Sequence, residues 1–438
     1  MFDKNWYLAQ YPEVKESDGD PILHYYHEGE KKNYQPSAYF SPKFYLDKNP
    51  DVKQANMSPL VHYIRHGETE GRLPSVYFSQ HFYLEKNPDV ERAGMSPLRH
   101  YIVHGKKEGR QPREKKSYQN IYYFDRDIRH FFKNTFEEKG FIPITAEKMH
   151  RVSVQDLVIF MHPNWDGIRD NQWVDHCKTH RIDSLAIIHD LIYAYGVKIE
   201  EEVQILNNFT YILGQSEKMN VFLRNSGVTA CLANLEFFDY PLIDKTMLKR
   251  HIHVARERGR VQNKKNTIAY AGKVWHPLRH WIFSDALKNI PVNIYYPMTE
   301  EEQKRFAKQN KFGNLTYHGG FSDEELFSKL EGDYGLIWNG TDEGQGMFDW
   351  KKISLSSKFD YCIARVLPII CKKGTLDGEL VEKYNIGFTI SHLSMLEAAL
   401  NETTYEQYQQ YLENLVPLAQ QVCDGYFLKR ALSSMINR

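Results

Sequence analysis

The sequence predicts an α/β chain of two doubly wound, Rossmann-like lobes behind an all-α repeat module, and three observations carry that prediction. Residues 1–113 repeat on themselves with a 38-residue period. From about residue 118 onward, β-rich apolar runs alternate with amphipathic stretches. The 438 residues exceed what one core organises, while 42% apolar and 26% charged residues describe ordinary globular domains.

Composition also excludes some partners. Lysine plus arginine equals aspartate plus glutamate at 56 each, so no global field draws in nucleic acid, and partners are recognised locally. No run of about 18 apolar residues occurs, and Met1-Phe2-Asp3-Lys4-Asn5 lacks the apolar stretch of a secretion signal. A cytoplasmic chain is the expectation, acting at the inner face of the membrane when its acceptor is there. Cys177, Cys231, Cys362, Cys371 and Cys423 show no C-x-x-C spacing, so buried thiols are expected rather than disulfides or a zinc site.

Within the repeat, Phe2, Phe40 and Phe78 correspond, as do Tyr7, Tyr45 and Tyr83, and Pro12, Pro50 and Pro88. Pro21, Pro59 and Pro97 open the second half, ahead of His24, His62 and His100, and Gly29, Gly67 and Gly105 close it. Each copy reads as two or three short helices with proline in the first turn, starting at Ser41-Pro42, Asn49-Pro50 and Ser58-Pro59. Helices this short must bury their aromatic positions against neighbouring copies, with the divergent first copy as a cap. His62 and His66 share a helical face, which fits a metal pair or a packing element; Glu28 at the matching place in the first copy favours packing. The module is read as positioning a partner or another subunit, with a homo-oligomer expected.

The catalytic body divides into 118–262 and 263–404 at a linker of Lys264-Lys265-Asn266, with tail helices in 405–438 packing back toward the first lobe. Strands are expected at 156–161, 185–189, 209–213 and near Leu232, then at 267–271, 292–296, 314–318, 334–338, 367–371 and 386–390. Runs this continuous predict parallel sheets, with ligands in a cleft beyond their carboxyl ends.

Residues following those strands are the site candidates. Gly272 and Lys273 end one strand, where glycine lets a ligand approach the backbone, although glycines also simply form turns. Gly320, Phe321 and Ser322 end another, and Asn339 and Asp342 lie in a glycine-rich loop suited to sugar hydroxyls, or to plain surface mobility. In the first lobe His162, Asp166, His189 and Asp190 follow apolar strands and stand as candidates for a general base, each also an ordinary capping or hydrogen-bonding residue. No Asp-x-Asp element lies where a donor-bound metal is expected, and no G-x-G-x-x-G or P-loop is present, so no metal and no cofactor beyond the donor substrate is expected.

The order Ala271-Gly272-Lys273, Leu315 to Ser322, Gly335 to Gly340, and Ser354 to Ala364 followed by Leu367-Pro368-Ile369-Ile370 resembles a known family. It is similar to the bacterial GT-B glycosyltransferases that glucosylate N-acetylglucosamine on serine-rich repeat adhesins, and to galactofuranosyltransferase-like relatives. Phe160 to Trp165, Ile188 to Asp190 and Glu236 to Tyr240 extend the likeness over roughly residues 120–400. The resemblance implies that Lys358, near a helix start, holds the donor diphosphate, and that the His318 to Ser322 loop lies beside the nucleotide base and ribose. One departure stands out: the family has an asparagine and a proline shortly before that lysine, and here Leu355, Ser356 and Ser357 fill the stretch.

The expected activity is therefore transfer of a hexose, glucose first, from a UDP-sugar to a saccharide on a glycoprotein or lipid-linked glycan, in the synthesis of bacterial cell-surface polysaccharide or glycan. Peripheral membrane association goes with such an acceptor. A galactofuranosyl donor is the near rival; a sugar-nucleotide epimerase and a non-catalytic repeat scaffold are readings from other classes.

Overall fold

The computed structural model describes residues 1–438 apart from 17–18, 125–129, 163–168, 193–195, 241–244, 262–265, 275–280, 339–349 and 438. It forms two compact units: Met1–Phe124 with Ile144–Asn234 and Ser433–Arg438, and Asp125–Pro143 with Leu235–Leu432. No described helix is long and apolar enough to cross a membrane.

The repeat follows its proline punctuation. In the second copy the helices are Pro42–Lys48, Pro50–Gln54 and Pro59–His62, and the last runs on as a π-helical turn, Tyr63–Gly67. Proline at the first helical position gives up no bonded N–H, and Ser41 and Ser58 accept from Phe44 N (3.2 Å) and Val61 N (3.3 Å). Tyr45 Oη sits 2.8 Å from His62 Nδ1 and lies so close to Gly67 that a Cβ there would collide with it. Tyr7 with His24 and Gly29, and Tyr83 with His100 and Gly105, repeat the arrangement. The recurring histidine is thus a hydrogen-bonded packing element.

Copies are joined by one recurring contact. Glu30 accepts the Ser58 hydroxyl at 2.8 Å, and Glu68 accepts that of Ser96 at 3.0 Å. Beside them Leu60 and Leu98 are 8% and 0% exposed, whereas Ile22, their counterpart at the start of the stack, is 53% exposed. The first copy therefore leaves open the position that the next two bury against a neighbour.

The same unit holds a six-stranded sheet in the order β3-β2-β4-β5-β6-β7, where β2 is Ile121–Phe124, β3 Ile142–Ile144, β4 Leu157–His162, β5 Asp183–Ile188, β6 Tyr211–Gly214 and β7 Cys231–Asn234. Strands β2, β4, β5, β6 and β7 are parallel. The repeat module covers the exposed edge at β7: Leu232 N donates to Tyr77 Oη at 2.7 Å, and that hydroxyl donates to Ala230 O at 3.4 Å. Tyr11 Oη adds a bond to Asn225 Oδ1 at 3.0 Å. A short parallel pair, β1 (Lys116–Ser117) with β14 (Ile436–Asn437), brings the last residues of the chain to this unit.

The second unit holds a parallel sheet in the order β10-β9-β8-β11-β12-β13, where β8 is Ile268–Ala271, β9 Val292–Tyr295, β10 Leu315–Gly319, β11 Tyr334–Ile337, β12 Ile369–Lys372 and β13 Gly387–Ile390. The ten runs expected from the sequence all fall on strands; β1, β2, β3 and β14 are additional.

The units do not break at the expected residues 113, 262 and 404. Residues 1–113 join the first sheet in one unit, and the crossing falls after Asn234, so the Lys245–Gly259 helix belongs to the second unit. There it packs on the tail helix Tyr405–Cys423, which also lies on the Ser357–Ala364 helix. Up to Leu432 the tail thus completes the second unit, contrary to the expected return toward the first lobe; only Ser433–Arg438 makes that return. In the other direction, the His130–Glu138 helix packs in the second unit, where Phe132 meets Phe238 at 6.0 Å and Glu138 pairs with Lys429 at 2.8 Å.

Candidate functional site

The strand order of the second unit is the 3-2-1-4-5-6 of a dinucleotide-binding fold, so its reversal point lies between β8 and β11. Two candidates from distant parts of the sequence meet there. A Cβ on Gly272, directly after β8, would lie 2.8 Å from Lys358 Cε and 2.9 Å from the Tyr270 ring, so the lysine chain runs over the space that the glycine leaves open.

Lys358 is the second residue of the Ser357–Ala364 helix, and the residues that depart from the family's pattern build that helix start. Ser356 is the N-cap, its hydroxyl 3.5 Å from Lys358 N, and its own N–H donates to Asp377 Oδ1 at 2.9 Å. Burial raises the Asp377 carboxyl, while Lys351, the Ser356 N–H and Lys358 act against it. A second helix start, Leu376–Tyr384, is capped at the end of β12 by Thr375, which accepts Gly378 N at 3.1 Å. Lysines and two sets of helix N–H groups at the carboxyl edge of a parallel sheet form a place for a polyanion.

Gly319 has φ +106°, and a Cβ on Gly320 would strike the Pro297 backbone, so both glycines are dictated by the turn that ends β10. Phe321 is half-buried with Lys329 Nζ 4.3 Å from its ring centroid. The Ser322 hydroxyl is engaged in a capping box with Glu325, accepting its N–H at 3.3 Å and donating to Oε2 at 3.1 Å. This turn ends the outermost strand, two strands from β8 and roughly 10 Å along the sheet. Lys273 is exposed next to Gly272. Asn339 and Asp342 lie outside the described residues.

The first unit has the order 2-1-3-4-5-6, which puts its reversal between β2 and β4. His162 is the last residue of β4. Its main-chain oxygen accepts from His189 N (2.7 Å) and Asp190 N (3.3 Å), so three of the four candidate bases are tied together at one strand end. His162 does not stand on a rim as expected: it is 6% exposed, with Nε2 2.5 Å from Glu202 Oε1. Glu202, fully buried on the Ile199–Leu206 helix, is a residue the sequence reading missed. Its signal was present, since Ile199, Glu202, Val203 and Leu206 share one helical face and a carboxylate on an apolar stripe demands a partner. His189 and Asp190 are half-buried, and Asp166 lies outside the described residues. Among the described residues no group of three or more His, Cys, Asp or Glu could hold a metal.

Two parallel Rossmann-like sheets, one with a polyanion-ready edge and one with a buried histidine–carboxylate pair at the reversal, define a GT-B glycosyltransferase. The structure is similar, with a TM-score of 0.50 at 12% identity, to a crystal structure of Anabaena Alr3699/HepE in complex with UDP, over 72% of this chain and 99% of that one. The chain belongs to the Glucosyltransferase 3-like family, whose N-terminal domain matches residues 109–237 and whose C-terminal domain matches 268–435. It is 24% identical to Glucosyltransferase 3 of Streptococcus gordonii over 297 residues, covering 65% of this chain and 80% of that protein. Its identity to Glucosyltransferase 3 of Streptococcus parasanguinis is 20% over 291 residues, covering 64% and 78%.

Proposed function

We propose that the chain transfers glucose from UDP-glucose to a hydroxyl of a saccharide carried by a glycoprotein or a lipid-linked glycan. The observation that carries this reading is Lys358 lying across the end of β8 at a capped helix start, packed against Gly272. The family name and the UDP complex of the fold relative point the same way.

In the reaction the acceptor oxygen bonds to the anomeric carbon while the bond from that carbon to the β-phosphate oxygen breaks, its electron pair leaving with UDP. Lys358 and the N–H groups at the two helix starts take the charge that builds on the diphosphate, each such preorganised donor worth roughly 3 kcal/mol. Gly272 and Lys273 admit the diphosphate and the Gly320, Phe321 and Ser322 turn takes the nucleoside, while the sugar hydroxyls are assigned to Asn339 and Asp342, which lie outside the described residues. The acceptor proton passes to a base at the end of β4, a contribution of about 10² to 10⁴ in rate. His162, oriented by Glu202, is our assignment, with His189 and Asp190 bonded to its main chain and Asp166, outside the described residues, as the other candidate.

Since lysine and helix N–H groups serve in place of a cation, the reaction runs without a metal, and EDTA leaves its rate unchanged. The test is incubation of the full chain with UDP-glucose and acceptors ending in N-acetylglucosamine. Release of UDP together with a hexose mass gain on the acceptor is expected. Conversion of the donor without acceptor, or gain only from UDP-galactofuranose, would replace the reading.

A further inference from the structure

A cavity of about 410 Å³ opens in the second unit at the amino ends of its strands, the opposite edge from Gly272 and Lys358. Thr267 precedes β8, Asp333 precedes β11, and the Lys245–Gly259 helix contributes Arg250, His251 and Arg258 from one face. Arg365, just past the Ser357–Ala364 helix, completes a ring of three guanidinium groups.

Two of those groups, Arg258 and Arg365, are anchored by main-chain carbonyls. Arg258 donates to Gly332 O at 2.5 Å and to Val366 O at 2.8 Å, and Arg365 donates to Leu330 O from Nε (3.0 Å) and Nη2 (2.7 Å). A main-chain carbonyl fixes a guanidinium but leaves its charge in place. Arg258 Nε is buried with no acceptor among the described residues, a costly state for an N–H. Burial first and the Arg258 charge second pull Arg365 down to about 10, Arg250 acts in the same direction, and Glu331 and Tyr295 oppose. The arginines therefore crowd one another. His251 is held down at about 4 by burial and by Arg365, so it is neutral at pH 7 and serves as a hydrogen-bonding wall. Two carboxylates also line the space, but Asp333 Oδ2 is occupied by Thr267 N–H at 2.8 Å, and Glu331 is at the exposed margin.

We propose that this cavity binds a phosphate-bearing anion through Arg250, Arg258 and Arg365, at a site separate from the UDP-sugar edge. Its volume suits a small ligand, and planar guanidinium forks match phosphate oxygens. The anion would be either a soluble phosphate ester or the headgroup of an acidic lipid.

Arg250 is exposed, so its removal spares the fold. The full chain saturated with UDP is titrated with inorganic phosphate and its melting temperature followed, in the parent protein, Arg250→Ala and Lys358→Ala. Phosphate is expected to stabilise the parent and Lys358→Ala with the same midpoint, and Arg250→Ala with a midpoint about tenfold higher. Equal midpoints for Arg250→Ala and the parent, no stabilisation, or a response lost only in Lys358→Ala would each overturn the proposal. Cosedimentation with phosphatidylglycerol vesicles, against phosphatidylcholine, separates the sources. Pelleting that depends on Arg250 assigns the lipid headgroup, and a phosphate response without pelleting assigns the soluble ester.

Discussion

At the scale of single residues the site rests on side chains whose partners come from far along the chain. Lys358 and Gly272 fit each other sterically, so Lys358→Ala removes a cation while leaving a well-capped helix. UDP affinity measured by calorimetry is expected to fall about tenfold or more, with an unchanged circular dichroism spectrum. Glu202→Gln keeps a hydrogen bond to His162 but loses the charge that holds the ring in one orientation. Its kcat is expected to drop roughly 10- to 100-fold at an unaltered UDP affinity; an equal loss in both would mark Glu202 as structural only. Much of this was legible from strand ends, because residues after apolar runs must emerge at a sheet edge. Glu202 was not, since it sits in mid-helix among Glu200 and Glu201 and only the fold picks out which glutamate turns inward. The job of Ser356 was equally hidden: from sequence it is a departure from a pattern, and in the fold it is a cap.

Elements were more readable than residues. The prolines that start seven of the nine described α-helices of the repeat and the glycine at each copy's close were both correct signals, because φ restriction and the absence of a Cβ are local properties. What local properties cannot give is why the glycine recurs: Tyr45 Oη occupies the space a side chain would need. Gly67→Ala is expected to cost about 1–3 kcal/mol in chemical denaturation, the range for overpacking, where an exposed helical glycine would have gained from the same change. Strands β2 and β3 escaped notice because Ile121–Phe124 is short and tyrosine-rich and Ile142–Ile144 contains a proline. The Lys245–Gly259 helix was assigned to the wrong side because amphipathicity shows that a helix has a buried face without showing which sheet it covers.

At the scale of the molecule, the second unit stores an unusual load of buried acid. Burial pushes Asp239 up to about 7, against the Leu428 and Phe427 N–H groups that it accepts, and raises Asp360 well above the carboxylate range, with the Asp239 and Asp377 charges adding to it. A carboxyl whose pKa is raised on folding contributes stability that is fully present below the unfolded value near 3.8 and lost as pH climbs through the folded value. Between about pH 4 and 7 Asp239 therefore favours the acidic side, at up to about 1.4 kcal/mol per pH unit, and Asp360 acts in the same direction. Asp360→Asn is expected to raise the melting temperature at pH 8 and to flatten its rise on acidification; an unchanged slope would assign the effect elsewhere. The same interleaving that brings helix His130–Glu138 to one unit and Ile436–Asn437 to the other has a further bearing on biogenesis. As the chain leaves the ribosome, the repeat array and the strands before residue 234 emerge ahead of the second unit, yet β1 waits for its mate until residues 436–437 have been made. The first unit is thus closed only after the second has emerged, and a nascent chain stalled before that point would carry the seam open.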